Sequence, residues 1–301
     1  MSLFRSLKKR LLFVLFLFSI FFGSVGVWWL TSKNNVIKVS NPLQETFLNA
    51  KNSSLFNLIK LAEQGNSEAQ SNLGLIYIEG QKLPRDYDKA FEYFTKAAEQ
   101  GNADAQFNLG LVYQNGAGAE KDYKKAIDWF TKAANQGSAE AQNNLAVIYD
   151  KGMGVEKDIK KAIEFYTKAA NQGYVHAESN LGQIYTEGKE ISQDYKKAVE
   201  YFEKAAIKGF AEAQYNLGVF YVNGIGVAKD DTKAFEWFQK AANQGFAPAQ
   251  YNLAMMYVEG KGITKDNKKA LEWLQNAADL GLPEAKEALL KMQQNKELSF
   301  I

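Results

Sequence analysis

Apolar positions along most of this chain fall into two alternating helical stripes, and the pair of stripes recurs every 36 residues. In one unit Ala105, Leu109, Val112 and Tyr113 stand at i, i+4, i+7 and i+8, which is one face of a helix. After a break at Gly116-Ala117-Gly118, residues Ala126, Trp129, Phe130, Ala133 and Ala134 form a second such face. An Asn-Leu step keeps the beat at Asn72, Asn108, Asn144, Asn180, Asn216 and Asn252, with a tyrosine five residues after each asparagine. A closing glycine returns at Gly65, Gly101, Gly137, Gly173, Gly209, Gly245 and Gly281. Asp122 is placed to cap the second helix of its unit, and Gly137 to end it.

A fixed period of this length predicts an all-α solenoid, because a single hairpin cannot bury its apolar face alone and stacking supplies the missing partner. Six 36-residue hairpins are expected at 66–101, 102–137, 138–173, 174–209, 210–245 and 246–281. Leu55 to Gly65 matches the second half of a unit and reads as a half-repeat cap. A last helix from about Pro283 to Asn295 reads as the other cap, with Leu290 where the units carry glycine or alanine and Gln293 where they carry tyrosine. The solenoid thus covers 54–297, and 298–301 is a tail. Paired alanines such as Ala133 and Ala134 leave room for a neighbouring helix, and bulky residues such as Trp129 and Trp237 fill the gaps. Mid-helix glycines such as Gly110 and Gly218 cost about 1 kcal/mol each relative to alanine, which close helix contact would explain.

The N-terminus departs from this pattern. Leu11 to Leu30 is an uncharged, mostly apolar run, long enough to cross roughly 30 Å of hydrocarbon as a helix. Arg5, Lys8, Lys9 and Arg10 precede it, and Trp28 and Trp29 fall where an interfacial aromatic belt would sit. The expected arrangement is a basic cytoplasmic stub (1–10), a transmembrane signal-anchor (11–30), a spacer (31–53) and repeats outside the cytoplasm, periplasmic in a bacterium. Ser24-Val25-Gly26 offers an alternative in which signal cleavage releases a secreted protein.

Charge and composition narrow the function. Four of the 36 basic side chains lie ahead of the apolar run, leaving 32 against 34 acidic ones, so no basic surface points to nucleic acid. The absence of cysteine removes disulfides, thiolate metal sites and lipid acylation. No metalloprotease, nucleophile-elbow or phosphate-loop motif occurs. The G-x-G pairs follow helices rather than strands and read as turns. His176, the single histidine, occupies a slot that varies between units and is expected in solvent. Glu92 with Lys96 and Glu236 with Lys240 have the spacing of helix ion pairs. No catalytic residue, cofactor or metal is expected.

Two features remain for a partner. The recurrent asparagines suit either a bond inside the array or a ladder of amides gripping a peptide backbone. The face of the first helix away from its core stripe varies between units and is more apolar than a solvated surface requires. Phe107 and Leu111 occupy it in the second unit, Tyr215 and Val219 in the fifth, Tyr251 and Met255 in the sixth. These six are candidate partner-binding residues of a concave groove, unless they only pack against the adjacent first helix.

The string Asn108-Leu109-Gly110 through Tyr113, followed by Ala126 to Phe130, is close to the tetratricopeptide pattern, but with a 36-residue period and the extra length in a G-x-G-V-x-K-D loop, as at Gly152 to Asp158. The combination resembles the Sel-one-like repeat (SLR) family over about 54–297. Lys82 and Glu190 replace the second loop glycine in two units, so those turns are expected to differ locally. The resemblance implies a right-handed α/α superhelix that binds proteins or peptides, often in extracytoplasmic complexes, signalling or host contact. Some members have been labelled hydrolases or β-lactam binders, which is the enzymatic alternative here. The expectation is a membrane-anchored, non-enzymatic scaffold for a protein or peptide partner.

Overall fold

The computed structural model describes residues 54–298, which form helices joined by short loops. The basic stub, apolar run and spacer of 1–53, and the tail beyond Leu298, lie outside the described residues. In chain order the helices are α1 (54–63), α2 (Ser67–Glu79), α3 (Tyr87–Glu99), α4 (Ala103–Asn115), α5 (Tyr123–Asn135), α6 (Ala139–Lys151) and α7 (Ile159–Asn171). They continue with α8 (Val175–Glu187), α9 (Tyr195–Ile207), α10 (Ala211–Asn223), α11 (Asp231–Asn243), α12 (Ala247–Glu259), α13 (Asn267–Asp279) and α14 (Pro283–Leu298). Helices α2 to α13 pair into six hairpins, each packed on the next, with α1 and α14 as half-hairpins at the ends. Among the described residues no helix is long and apolar enough to cross a membrane.

Local chemistry sets the helix boundaries. Asp122 accepts from the backbone N–H groups of Lys124 and Lys125 at 2.9 and 3.0 Å, satisfying donors that the helix itself cannot. At the other end Gly137 takes φ 95°, its N–H donates to Ala134 O and the Ser138 N–H donates to Ala133 O, a Schellman closure. The loops are tied by one repeated bond: the Asp122 N–H donates to Tyr113 O at 2.8 Å. Asp86 and Asp194 make the same bond in the two loops where Lys82 and Glu190 replace glycine, so the departure is local. Glu190 turns outward there and pairs with Lys157 at 2.6 Å.

The core explains the mid-helix glycines. A Cβ on Gly110 would lie 2.6 Å from the Phe130 ring, and one on Gly218 would lie 2.6 Å from the Phe238 ring. Such distances are well inside van der Waals contact, so the glycine is the recess into which the ring of its own hairpin fits. Phe94, Phe130, Phe202 and Phe238 are at most 2% exposed as a result. Two hairpins carry alanine in that slot: the third sets Ala146 with Tyr166 and the sixth sets Ala254 with the smaller Leu274, all at most 2% exposed. Both alanines of the pair are buried in a core shared with Ala141 and Leu145 of the next first helix, Ala133 fully and Ala134 at 8% exposure.

Not every expected detail holds. Lys96 pairs with Glu92 at 2.5 Å, but Lys240 lies 3.9 Å above the Trp237 ring instead of reaching Glu236. Attraction to the face of an indole outweighs an exposed ion pair of small value. The last helix also runs on to Leu298.

Candidate interaction surface

The candidate partner residues share one row of first-helix positions, and packing divides them. Val219 and Met255 are only 5% and 8% exposed, so both are buried. Phe107 and Leu111 are half-buried, and the Phe107 ring lies 5.8 Å from Phe130 in a tilted pair. Tyr215 keeps an exposed part between Phe238 and Phe246, at 5.8 and 5.3 Å. Its hydroxyl bonds with Asn252, and loss of water around it pushes its pKa up to about 12. Tyr251 is half-buried against the sixth-hairpin core. Four of the six residues therefore retain surface on that row, and Tyr215 and Tyr251 stand side by side on consecutive hairpins.

The asparagines divide as well. Asn180 donates to Asn143 of the preceding first helix at 3.3 Å, and Asn252 bonds Tyr215, so these two tie one hairpin to another. Asn108, Asn144 and Asn216 are half-buried and Asn72 is exposed, and among the described residues none of these four amides has a side-chain hydrogen bond. An amide with two donors and an acceptor, unpaired and reachable by water, is available to a ligand's backbone.

Glutamines make the internal bond in most hairpins. In five first helices Gln70, Gln106, Gln142, Gln214 and Gln250 are buried, and each donates to a carbonyl eight residues back, as Gln70 does to Ala62 O at 3.0 Å. In four of these hairpins the residue ending the second helix closes the bridge, with Gln100, Gln136, Gln172 and Gln244 donating to the first-helix glutamine at 2.7 to 2.8 Å. The fourth hairpin carries Glu178 and Lys208 in the same two slots, 2.6 Å apart. In the sixth the second slot is Leu280, and Gln250 Oε1 is left buried without a partner. The glutamines recur at 36 residues as plainly as the asparagines, and the joint change at 178 and 208 was the signal that they pair.

His176 is not in solvent as its variable slot suggested. It is half-buried between Tyr174 and Phe210, at centroid distances of 5.4 and 5.0 Å, and its Nδ1 is buried without a partner. Burial holds its pKa below the usual 6.5. The surroundings arise because the first helices from the fourth hairpin on begin at Tyr174, Phe210 and Phe246, with no side-chain cap. Asn66, Asn102 and Ser138 cap the earlier ones. Forgoing a cap costs about 1 kcal/mol, which ring contacts of similar size offset.

The second helices present lysines that are already engaged: Lys125 lies over Tyr113, Lys161 over Tyr149 and Lys132 3.7 Å above Trp129. Among the described residues no cluster of three or more His, Asp or Glu side chains could hold a metal ion.

Comparison with known proteins adds the family. The model described as "Sel1 repeat" matches six times in unbroken succession, at 67–102, 103–138, 139–174, 175–210, 211–246 and 247–282. The chain is similar to c5321, described as a protective antigen present in uropathogenic Escherichia coli strains and displaying an SLR fold. Identity is 36% over 78% of this chain and half of that one, with a TM-score of 0.74. It is also similar to a Sel1 repeat protein from Oxalobacter formigenes, at 36% identity over 72% of this chain and 89% of that one, with a TM-score of 0.68. A search of curated proteins returned no match. Six consecutive repeat matches on six observed hairpins place the chain in the Sel1-repeat family, whose members are protein-interaction scaffolds.

Proposed function

We propose that the chain is a membrane-anchored Sel1-repeat scaffold, held by residues 11–30 with its repeats outside the cytoplasm, which grips an extended segment of a protein partner along the first-helix row. The observation that carries the reading is the pairing of unsatisfied amides with half-exposed aromatics on that row. Asn108, Asn144 and Asn216 supply regularly spaced donors and acceptors for a peptide backbone, and Phe107, Leu111, Tyr215 and Tyr251 supply apolar anchors. The anchor rests on the run Leu11 to Leu30 behind four positive charges. Description of c5321 as a protective antigen supports a location where a host could meet the protein, in envelope or host-contact work. Release by cleavage near Ser24-Val25-Gly26 is the second reading, favoured by the small residues there.

The test uses the full chain in membranes, with a photo-crosslinking residue at Asn144 on the row or at Lys160 on a second helix. The expected result is a partner captured from position 144 only, and lost in the Asn108→Ala, Asn144→Ala, Asn216→Ala chain crosslinked from position 107. Equal capture from position 160 would overturn the row as the site. Retention of the intact N-terminus after alkaline extraction supports the anchor, and a shortened chain in the soluble fraction supports release.

A further inference from the structure

The two ends of the array are the two halves of one hairpin. Helix α1 has the register of a second helix, and α14 that of a first helix. Among the described residues neither has the partner that completes it. On α1, Ala62 is 1% exposed and packs with Ala69 and Leu73 of α2. Leu61, one position earlier, occupies the slot that is a fully buried alanine in all six hairpins, yet it is 46% exposed on α1, which among the described residues has no first helix before it. Leu58 stands in the slot of Phe94 and Phe130, the rings that enter the glycine recess. On α14, Leu290 stands in the recess slot itself and is 59% exposed.

The polar slots match too. Gln64 at the end of α1 is in the place of Gln100 and Gln136, and Lys286 on α14 is in the place of Gln70 and Gln106. Both are exposed. A lysine and an acceptor in these two slots is the pairing that the fourth hairpin makes with its Glu178 and Lys208. Terminal units of a solenoid ordinarily turn a polar face outward, and these ends present leucines instead.

We infer that α14 of one molecule and α1 of a second copy close a composite hairpin, head to tail. Leu58 and Leu61 meet Leu290, and Lys286 donates to Gln64. Two leucines where four of the repeats place a ring against glycine give a slightly wider helix spacing, which the side-chain volume fills. The contact is heterologous, so each molecule keeps one free end and copies add in a row.

The chain has no cysteine of its own, which makes introduced ones unambiguous. Full chains carrying Leu58→Cys alone or Leu290→Cys alone, distinguished by size, are expressed separately and together and treated with a mild oxidant. The expected result is a disulfide-linked pair only from co-expression, and a ladder of oligomers from the chain bearing both changes. In a second arm, Gln64→Lys sets two positive charges opposite each other and is expected to lower the linked fraction about fivefold, with Lys286→Glu restoring it. Both positions are exposed, so folding is unaffected. No linked species, self-linking of either single variant, or indifference to Gln64→Lys would each overturn the inference.

Discussion

Lys208 donates to Glu178 at 2.6 Å in the two slots that four other hairpins fill with a pair of glutamines. The carboxylate is almost wholly buried, while the ammonium reaches water. One oxygen of Glu178 has no partner, because the slot that holds an amide N–H₂ elsewhere now holds a second acceptor. Lys208→Gln is expected to destabilise by about 1–3 kcal/mol, less than the about 3–5 kcal/mol of a fully buried broken pair because solvent reaches the lysine end. Adding Glu178→Gln recreates the glutamine bridge and should return stability to within about 1 kcal/mol of the natural chain. Denaturant melts of the two variants measure both steps.

The sixth hairpin lacks the closing donor, since Leu280 is 58% exposed and Gln250 Oε1 is buried and unpaired. Leu280→Gln supplies an N–H at the slot used by Gln244. A gain of about 0.5–1.5 kcal/mol is expected, the net value of one buried hydrogen bond. It should vanish in a Gln250→Leu background, which a double-mutant cycle reads directly.

Alanine is a better helix former than glycine by about 1 kcal/mol, yet Gly218→Ala is expected to destabilise. Its methyl would sit 2.6 Å from the Phe238 ring, and overpacking costs about 1–3 kcal/mol. Phe238→Leu in the same chain should recover part of the loss, because Ala254 with Leu274 is how the sixth hairpin is built. The pair of changes should cost less than their sum in thermal unfolding.

His176 has a folded-state pKa below its usual 6.5, caused by burial. The unfolded chain therefore binds the proton first as pH falls, so stability is complete above about pH 6.5 and declines below it until the folded form also protonates. His176→Phe removes this component while keeping an aromatic ring between Tyr174 and Phe210. Melting temperatures measured from pH 7.5 down to 5.5 should fall more steeply for the natural chain than for the variant.

Much of this could be read from residue order because it is local chemistry. Asp122 caps a helix through its own next three residues, Gly137 takes a left-handed turn that other residues resist, and a 36-residue beat leaves stacking as the way to bury Leu109 and Phe130. These depend on neighbours a few positions away or on strict repetition, so the sequence alone determined the helices, the hairpins and their family. What only the tertiary structure decided is which surface positions are used up. Val219 and Leu111 hold the same slot in different hairpins, but one is buried and the other keeps an edge, since burial there depends on the side chains of adjacent hairpins. The bridge from Gln100 to Gln70 spans 30 residues and runs between two helices, and His176 is enclosed by a ring 34 positions later. Contacts of that kind are set by how helices lie against each other, which is a property of the packed array and not of any single stretch of chain.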